Sequence, residues 1–364
     1  MANILSRITG IFKTRTKNYW TYLGQTIWGE IGFQPTNRDY MDSYEQSFLV
    51  YACVRKLSEK VADTDFELYS IGGRAGKENI KKESQHKILD LLARPNPYTT
   101  KFEMLDMTQS YLDLLGNAYW LKVRAKQPQG VITQNTGEIL ELWMLRPDRV
   151  RVVEDDIKIV SAYEYTLPDG SIQTFLPENV IHFKQPNPKS SLYGLPTIKP
   201  ALEIIQSLLY STRWNKNFFY NDAVPKATLI LKGNQKEDQA NEFRRKWEEK
   251  YGGIANAHRL AIISGDADLK TVAMSIKDMD FSNLTDTTSQ QIMTTFGVPK
   301  SILGMQGMNR AEAEAQIFVF LSETIVPKVQ RIVERLNQFL LPEFGDNLYR
   351  DFVDPTPRDR EKEL

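Results

Sequence analysis

Two neighbouring aspartates have the spacing of a pair that could bind a metal ion. In Gly265-Asp266-Ala267-Asp268 the aspartates stand at positions i and i+2. On a strand, Asp266 and Asp268 would point to one face and could hold Mg²⁺ against a phosphate. A magnesium-dependent nucleotidyl-transferase is the enzyme class that this pattern fits. Asp-rich turns between strands have the same composition, and we favour a turn here.

Other catalytic patterns are missing from the sequence. The three histidines, His86, His182 and His258, lie far apart. There is no H-x-x-x-H, no Cys/His cluster and no G-x-x-x-x-G-K-[ST], the usual patterns of zinc hydrolases and P-loop nucleotidases. His182 stands in the strand-like run VIHF, where a histidine is more often a structural group than a base. We therefore predict a protein that is not an enzyme and uses no metal or cofactor.

The single cysteine, Cys53, lies within the apolar run FLVYACV. One thiol cannot form an internal disulfide, which fits a reducing compartment. A cysteine in such a run usually acts as a small core hydrophobe. We expect Cys53 to be buried and unreactive.

Charge and length limit the classes of function. The 364 residues contain 46 basic and 46 acidic side chains, and the length allows two or three domains. Proteins that grip nucleic acid through many phosphates are usually basic. Tight static binding to DNA is therefore not indicated, whereas transient contact with a sliding polymer is compatible with the charge. No apolar run approaches the ~20 residues of a membrane-spanning helix.

The N-terminal arm, residues 1–39, has two interpretations. Its first acid is Glu30, and no small-residue cleavage site follows, so a secretory signal is not predicted. The arm could lie on a membrane surface as an amphipathic helix, or pack on a neighbouring subunit, which we favour. Both interpretations rest on its bases and aromatic residues: Arg7, Lys13, Arg15, Lys17, Phe12, Tyr19 and Trp20.

Residues 40–190 are predicted to form an α+β domain. A helix is expected over Ser43 to Val61, and a second one begins at a capping box of Thr100 and Glu103 and ends at Gly116. From 118 to 183, alternating apolar residues and turn signals predict five or six mostly antiparallel strands.

Beyond residue 190 the pattern predicts two long helices that flank a small α/β unit. The first helix occupies 191–222, the inserted unit 223–276 and the second helix 277–298. A loop over 299–310 then leads into a long helix, 311–345, kinked near Pro327, and a tail, 346–364. The helix of the inserted unit carries Arg244, Arg245, Lys246 and Trp247, balanced by nearby glutamates as on a solvated face.

In the connection after the second helix, one helix ends, a loop follows, and the next helix begins. Gly297 ends the helix, Pro299 prevents its continuation, and Gly304 completes the turn. Lys300 and Arg310 are the nearby cations. Between them lies an uncharged, flexible loop with soft apolar groups and amides, consisting of Met305, Gln306, Gly307, Met308 and Asn309.

Several of these segments together resemble one family. The sequence is similar to the portal (head-to-tail connector) proteins of long-tailed double-stranded DNA bacteriophages, from about residue 40 to about residue 345. The segments occur in the order of that family, and their combination is more specific than any one of them. They are VYACVRKLSEKVAD, LLARPNPYTT, LLGNAYWLKVR, LWMLRPDRVRVV, ENVIHFK, YGLPTIKPA, FFYND with AVPKATLI, and FGVPKSILG.

The resemblance implies a ring, typically a dodecamer, at one capsid vertex, through which DNA is packaged and ejected. It implies that 40–190 form a wing, 191–222 and 277–298 a stem, 223–276 a clip, and Met305–Asn309 a tunnel loop. The clip helix would help to dock partners. The family usually continues into a crown, whereas this sequence ends in RDREKEL, which indicates a truncated chain or a rudimentary crown.

The implied partners are other copies of the chain, the terminase large subunit, a head-tail connector or adaptor protein, the major capsid protein and a scaffold. The implied location is the portal vertex of the virion, after assembly in the cytoplasm of the bacterial host. These partners and this location come from the resemblance alone.

Overall fold

The structure is a computed structural model. It describes residues 36–71, 80–125, 137–155, 159–221, 228–231, 241–242, 245–246, 249, 267–270, 281–305, 309–345 and 347–357. From Asn37 onward these residues belong to one compact unit. Helices and sheets are both present, which confirms the predicted α+β class.

Two helices replace the single one expected over Ser43 to Val61. Helix α1 spans Asn37–Gln46 and helix α2 spans Phe48–Ala62. Ser47 separates them, because its backbone is extended and its hydroxyl accepts a hydrogen bond from the backbone N–H of Val50. The prediction of one helix was wrong because serine favours such a cap over a helix interior.

Helix α3 spans Lys87–Ala93, and helix α4 spans Lys101–Leu115. The capping box predicted for α4 is present, with Thr100 and Glu103 each bonding the other's backbone N–H. Gly116 ends the helix with a φ of 73°, in the left-handed region. Both predicted ends of this helix are confirmed.

Among its described residues, the β-rich region contains six antiparallel strands, within the predicted number, and they form two sheets. One sheet has the order β4-β3-β8, and the other has the order β5-β6-β7. The strands are β3 (Asn117–Arg124), β4 (Ile139–Leu145), β5 (Val150–Asp155), β6 (Ile159–Thr166), β7 (Ile172–Phe175) and β8 (Val180–Lys184).

A third sheet joins the two ends of the described chain. Strand β1 (Phe66–Ile71) lies between β2 (Ile80–Glu83) and a late strand spanning Leu348–Phe352. That late strand runs antiparallel to β1, with Phe66 opposite Phe352. The segment predicted as a tail, 346–364, therefore contributes a strand that pairs with β1, and no strand was predicted there.

Helix α5 (Leu202–Asn221) packs against helix α6 (Phe281–Phe296), and a 3₁₀ turn, Lys199–Ala201, precedes α5. The inserted segment between them contains strands β9 (Thr228–Leu231) and β10 (Ala267–Lys270), which pair antiparallel. We name the late strand Leu348–Phe352 β11.

Asp268 lies within β10, not in the turn that we favoured for this stretch, so that part of the prediction was wrong. Asp266, its presumed partner in a magnesium site, lies outside the described residues. Among the described residues no group of three or more His, Cys, Asp or Glu side chains could hold a metal ion. In the same part of the chain no helix has the length and apolarity to cross a bilayer.

The C-terminal helical run has three parts. Helix α7 (Arg310–Val319) continues through a π-helical turn, Phe320–Ile325, into helix α8 (Val326–Phe339). The kink was predicted near Pro327, and the π turn ends two residues before that proline. In the π turn the N–H of Val326 bonds to the carbonyl of Leu321, five residues back. Proline has no N–H to donate and its ring crowds the preceding turn, so the helix widens into a π turn just before it.

The main core is built by side chains from α2, α4, α5, α6, α8 and the sheet of β3 and β8. Cys53 is fully buried in it, and burial raises the pKa of its thiol to about 12. This confirms the interpretation of Cys53 as an unreactive core residue. Helices from both halves of the chain share this core, and α6 is one of them. The end of α6, where the connection begins, is therefore held in place by core packing.

Candidate functional site

The turn that follows α6 is fastened to the π turn. Gly297 has a φ of 70°, and its carbonyl accepts a hydrogen bond of 3.0 Å from the hydroxyl of Thr324. A Cβ atom at position 297 would lie 2.8 Å from that same hydroxyl oxygen. Glycine is therefore required here by the backbone conformation and by the close approach of Thr324.

The next turn ends at the start of the loop. The N–H of Ile302 donates a hydrogen bond of 3.1 Å to the carbonyl of Pro299. The N–H of Met305 donates one of 3.2 Å to the carbonyl of Lys300. Lys300 is exposed, and Gly304 again has a φ of 70°. Met305 is partly buried and packs on the main core. Gln306, Gly307 and Met308 lie outside the described residues.

Asn309 caps the restarted helix. Its side chain accepts a hydrogen bond of 2.9 Å from the N–H of Glu312, whose carboxylate reaches back to the N–H of Asn309. Arg310 pairs with Glu314 at 2.7 Å, with exposed fractions of 92% and 63%. The cation at this end of the loop is thus highly exposed and paired within its own helix.

A buried carboxylate that was not among the predicted site residues joins three elements. Asp113 of α4 is 0% exposed, and its Oδ1 accepts hydrogen bonds from Lys328 of α8 at 2.7 Å and from Thr197 at 2.8 Å. The side chain of Gln109 donates a hydrogen bond of 2.8 Å to Oδ2 of Asp113. The backbone carbonyl of Asp113 accepts one of 3.1 Å from the N–H of Ile198. Asp113 thereby fixes α8 and the entry to α5 against α4.

A second ionic contact holds the far end of α8. Lys122 of β3 donates to the carbonyl of Phe339 at 2.9 Å and to the carboxylate of Glu343. Arg124 reaches the other oxygen of Glu343 at 2.5 Å. Burial raises the pKa of Glu343, but these two hydrogen bonds outweigh it and leave the pKa lowered. Helix α8 is thus held by charged contacts near both of its ends.

Two glycines let the sheet and the approach to α5 come together. A Cβ atom on Gly194 would lie 2.0 Å from the carbonyl oxygen of Gly116. Asn117 reinforces this contact, because its Oδ1 accepts hydrogen bonds from the N–H of Gly194 at 2.7 Å and from Nε2 of His182 at 3.1 Å.

His182 is buried and stacks on Tyr119, with ring centroids 4.3 Å apart. Burial above all, aided by the charges of Lys184 and Arg335, lowers its pKa to about 3. A neutral histidine enclosed in this way is a structural group, as interpreted from the sequence.

The clip helix is described only in part. Arg245 and Lys246 are exposed, and Lys246 pairs with Glu242 at 2.8 Å. That pair agrees with the solvated face expected from the sequence. Arg244 and Trp247 lie outside the described residues.

Comparison with known proteins identifies this arrangement. The family model described as phage portal protein matches residues 49–355. The chain belongs to the phage portal protein family. The family match spans the chain from the start of α2 to beyond β11, including the inserted segment and the connection that contains Gly297.

Individual portal relatives agree with this family assignment. A probable portal protein of Streptomyces phage phiC31 is 28% identical over 313 residues, which is 82% of this chain and 64% of the relative.

Two solved structures show the same portal fold. One is the neck of a native gene transfer agent particle with C12 symmetry, with a TM-score of 0.62 at 23% identity, over 90% of this chain and 87% of the other. The second is the crystal structure of an HK97-family phage portal protein from Corynebacterium diphtheriae, with a TM-score of 0.56 at 14% identity, over 87% of this chain and 97% of the other.

Proposed function

We propose that the chain assembles into a closed ring, typically of twelve copies, at one vertex of a phage or gene transfer agent capsid. Double-stranded DNA passes through the ring during packaging and ejection, without recognition of its sequence. The neck structure with C12 symmetry supports the proposed subunit number. The ring lies in the virion after assembly in the cytoplasm of a bacterial host, and it consumes no fuel of its own.

The connection between α6 and α7 carries this proposal. A fastened turn at Gly297 leads into the loop of 305–309, and the long helical run that follows is bound to α4 through Lys328 and Asp113. A loop with both ends held in this way can extend from the subunit without loss of its position. We propose that 305–309 face the channel as the tunnel loop, with α5 and α6 as the stem.

The chemistry of the loop fits contact with a moving polymer. Met305 to Asn309 carry no charge, and the flanking Arg310 is paired with Glu314. A loop pressed against sliding DNA gains little from strong phosphate contacts, since each one has to be broken at every step. With an uncharged loop and an arginine already paired, the proposed channel lining would bind the phosphates of passing DNA weakly.

The proposed partners follow the division of the chain. The inserted segment around β9 and β10 corresponds to the clip, where Arg244, Arg245, Lys246 and Trp247 would dock the terminase large subunit and later the head-tail connector. Residues 40–190 correspond to the wing, which would meet the major capsid protein and the scaffold. The arm of 1–39 would pack on the neighbouring subunit.

Native mass spectrometry of the purified chain tests the ring. The proposal predicts a particle whose mass is an integral multiple of the 42.0 kDa subunit, with a central channel in negative-stain images. The measurement should cover high protein concentration and several salt conditions, because association of subunits rises with concentration and salt screens charged contacts. A strictly monomeric species under all of them would contradict the proposal.

A further inference from the structure

A basic stripe runs along one face of α8. Lys328, Arg331 and Arg335 follow one another at steps of three and four residues, so their side chains share a face. Strand β8 packs against this helix and contributes Lys184. Burial first, and then the charge of Arg335, lowers the pKa of Lys184. Lys184 thus lies near Arg335, and Arg331 stands one turn before Arg335 on the same face of α8.

Just one of these four cations has a carboxylate within ion-pair distance among the described residues. Lys328 pairs with Asp113 at 2.7 Å. Lys184 donates to the carbonyl of Ser191, which carries no charge. In the same part of the chain, Arg331 and Arg335 have no hydrogen bond or ion pair, and the guanidinium carbon of Arg335 lies 5.3 Å from the ring centroid of Phe339.

We call Lys184, Arg331 and Arg335 the basic surface. All three are partly buried, and burial lowers the pKa of Arg331 although Asp113 and Glu334 act in the opposite sense. Like charges that are partly removed from water destabilise a fold unless an anion compensates them. An anionic group from another molecule would supply that compensation.

Helix α1 offers the complementary charge. Its ten residues contain one base, Arg38, and three acids, of which Glu45 is exposed and Asp42 is half-exposed. Arg38 pairs with Asp42 at 3.8 Å, and ion pairs that water reaches contribute little. The whole chain is neutral, so the positive excess on α8 is balanced by acids elsewhere in the same chain.

The acidic and basic helices lie against different neighbours. Helix α1 packs on α2, α4 and α5, whereas α8 packs on β8 and β11. A head-to-tail assembly joins two different surfaces of identical subunits, one from each copy. Such an assembly can bring the acidic helix of one copy to the basic surface of the next.

We propose that Asp42 and Glu45 of one copy bind Lys184, Arg331 and Arg335 of a second copy and so help to close the ring. This inference rests on the proposed ring and adds the charged contact that joins its subunits. A carboxylate partner is favoured over a DNA phosphate because the cations are partly buried. The planar guanidinium groups bind carboxylates and phosphates alike through two parallel hydrogen bonds, so the choice between the two anions rests on this burial.

Charge reversal tests the contact. We expect Lys184→Glu/Arg335→Glu to raise the protein concentration needed for ring assembly at least about tenfold, since close interfacial charge pairs contribute about 1.5 kcal/mol or more. Asp42→Lys/Glu45→Lys should do the same. The variant with all four changes should assemble nearly as well as the unmodified chain. Arg331 stays intact because it lies near the buried Asp113.

Arg55→Glu serves as the matched control, because Arg55 is an exposed arginine paired with Glu59 on its own helix. It should assemble normally, and circular dichroism should show that each subunit is folded. If the Lys184/Arg335 variant does not fold, Arg335→Glu with and without Glu45→Lys tests the same contact.

Three results would overturn the proposal. They are normal assembly of both reversed variants, loss of assembly that the fourfold variant does not restore, and normal rings that lose DNA retention. The last would make the basic surface a DNA-binding site. Failure of the unmodified chain to assemble would instead count against the proposed ring itself.

Discussion

The carboxylate of Asp113, near the end of α4, and the ammonium of Lys328, near the start of α8, lie 2.7 Å apart although 215 residues separate them in sequence. Both are removed from water, with exposed fractions of 0% and 11%. This contact ties the helical run that begins at the loop to the N-terminal half of the protein. The position of the loop therefore depends on a residue far from it.

Lys328→Met should strongly destabilise the subunit, because it leaves the carboxylate of Asp113 buried without its cation. Removal of one partner of a buried pair costs about 3–5 kcal/mol. Urea unfolding of the unassembled subunit measures this loss. Glu314→Ala, which breaks the exposed pair with Arg310, is the control and should cost less than about 1 kcal/mol.

The double variant Asp113→Asn/Lys328→Met should recover part of that loss. An amide at position 113 carries no charge and can still bond Gln109 and Thr197. If Lys328→Met alone unfolds no more easily than the Glu314→Ala control, Asp113 does not hold α8 in the way described.

Gly297→Ala should lower the free energy of unfolding by roughly 2 kcal/mol or more, because a left-handed conformation costs a non-glycine residue about 1–2 kcal/mol and the methyl group would meet Thr324. Gly304→Ala isolates the first effect, since Gly304 has the same φ of 70° with nothing within 4 Å of the added atom. Equal losses in the two variants would show that the contact with Thr324 contributes nothing.

Insertion of bulky residues between Gly304 and Arg310 should leave ring formation intact and impair DNA packaging. The loop is held at both ends by turns and caps, so added length extends it into the proposed channel without disturbing the core. In vitro packaging with purified rings measures the effect. The same insertion after Gly170, an exposed turn between β6 and β7, is the control. Normal packaging with the loop insert would refute the tunnel-loop assignment.

Acid should destabilise the subunit through His182. Its pKa is about 3 in the folded state, against an ordinary value of 6.5, so between these values the unfolded chain binds a proton that the folded chain does not. The stabilisation that the neutral His182 contributes is fully present above pH 6.5. Below that pH the free energy of unfolding falls by about 1.4 kcal/mol per pH unit, until the pH reaches the folded-state pKa.

Urea unfolding at a series of pH values measures that slope, with His182→Gln as the comparison. The glutamine variant should lose less stability than the unmodified chain between pH 6 and pH 4. Equal slopes in the two proteins would contradict a buried, neutral His182.

Local signals allowed correct prediction of much of the fold. The capping box at Thr100 and the glycine after Leu115 set both ends of α4, because each satisfies backbone groups within a few residues. The strand β11 was missed, since its pairing with β1 joins residues at opposite ends of the described chain. The π turn before Pro327 appeared in the sequence simply as a kink.

The long-range contacts that hold the candidate site in place were harder to predict than its glycines. Gly297 and Pro299 act locally and are visible in the sequence. The role of Asp113 depends on Thr197 and Lys328, which the fold brings together from distant segments. Gln109, one helical turn before Asp113, was a local sign, because it could donate a hydrogen bond to a carboxylate buried on the same face.

A reconstruction of the assembled particle by cryo-electron microscopy would show the proposed channel itself. We expect a closed ring in which residues 305–309 of every subunit line the narrowest part of a channel wide enough for double-stranded DNA. A ring whose channel is lined by other residues, with 305–309 buried or on the outer surface, would contradict it.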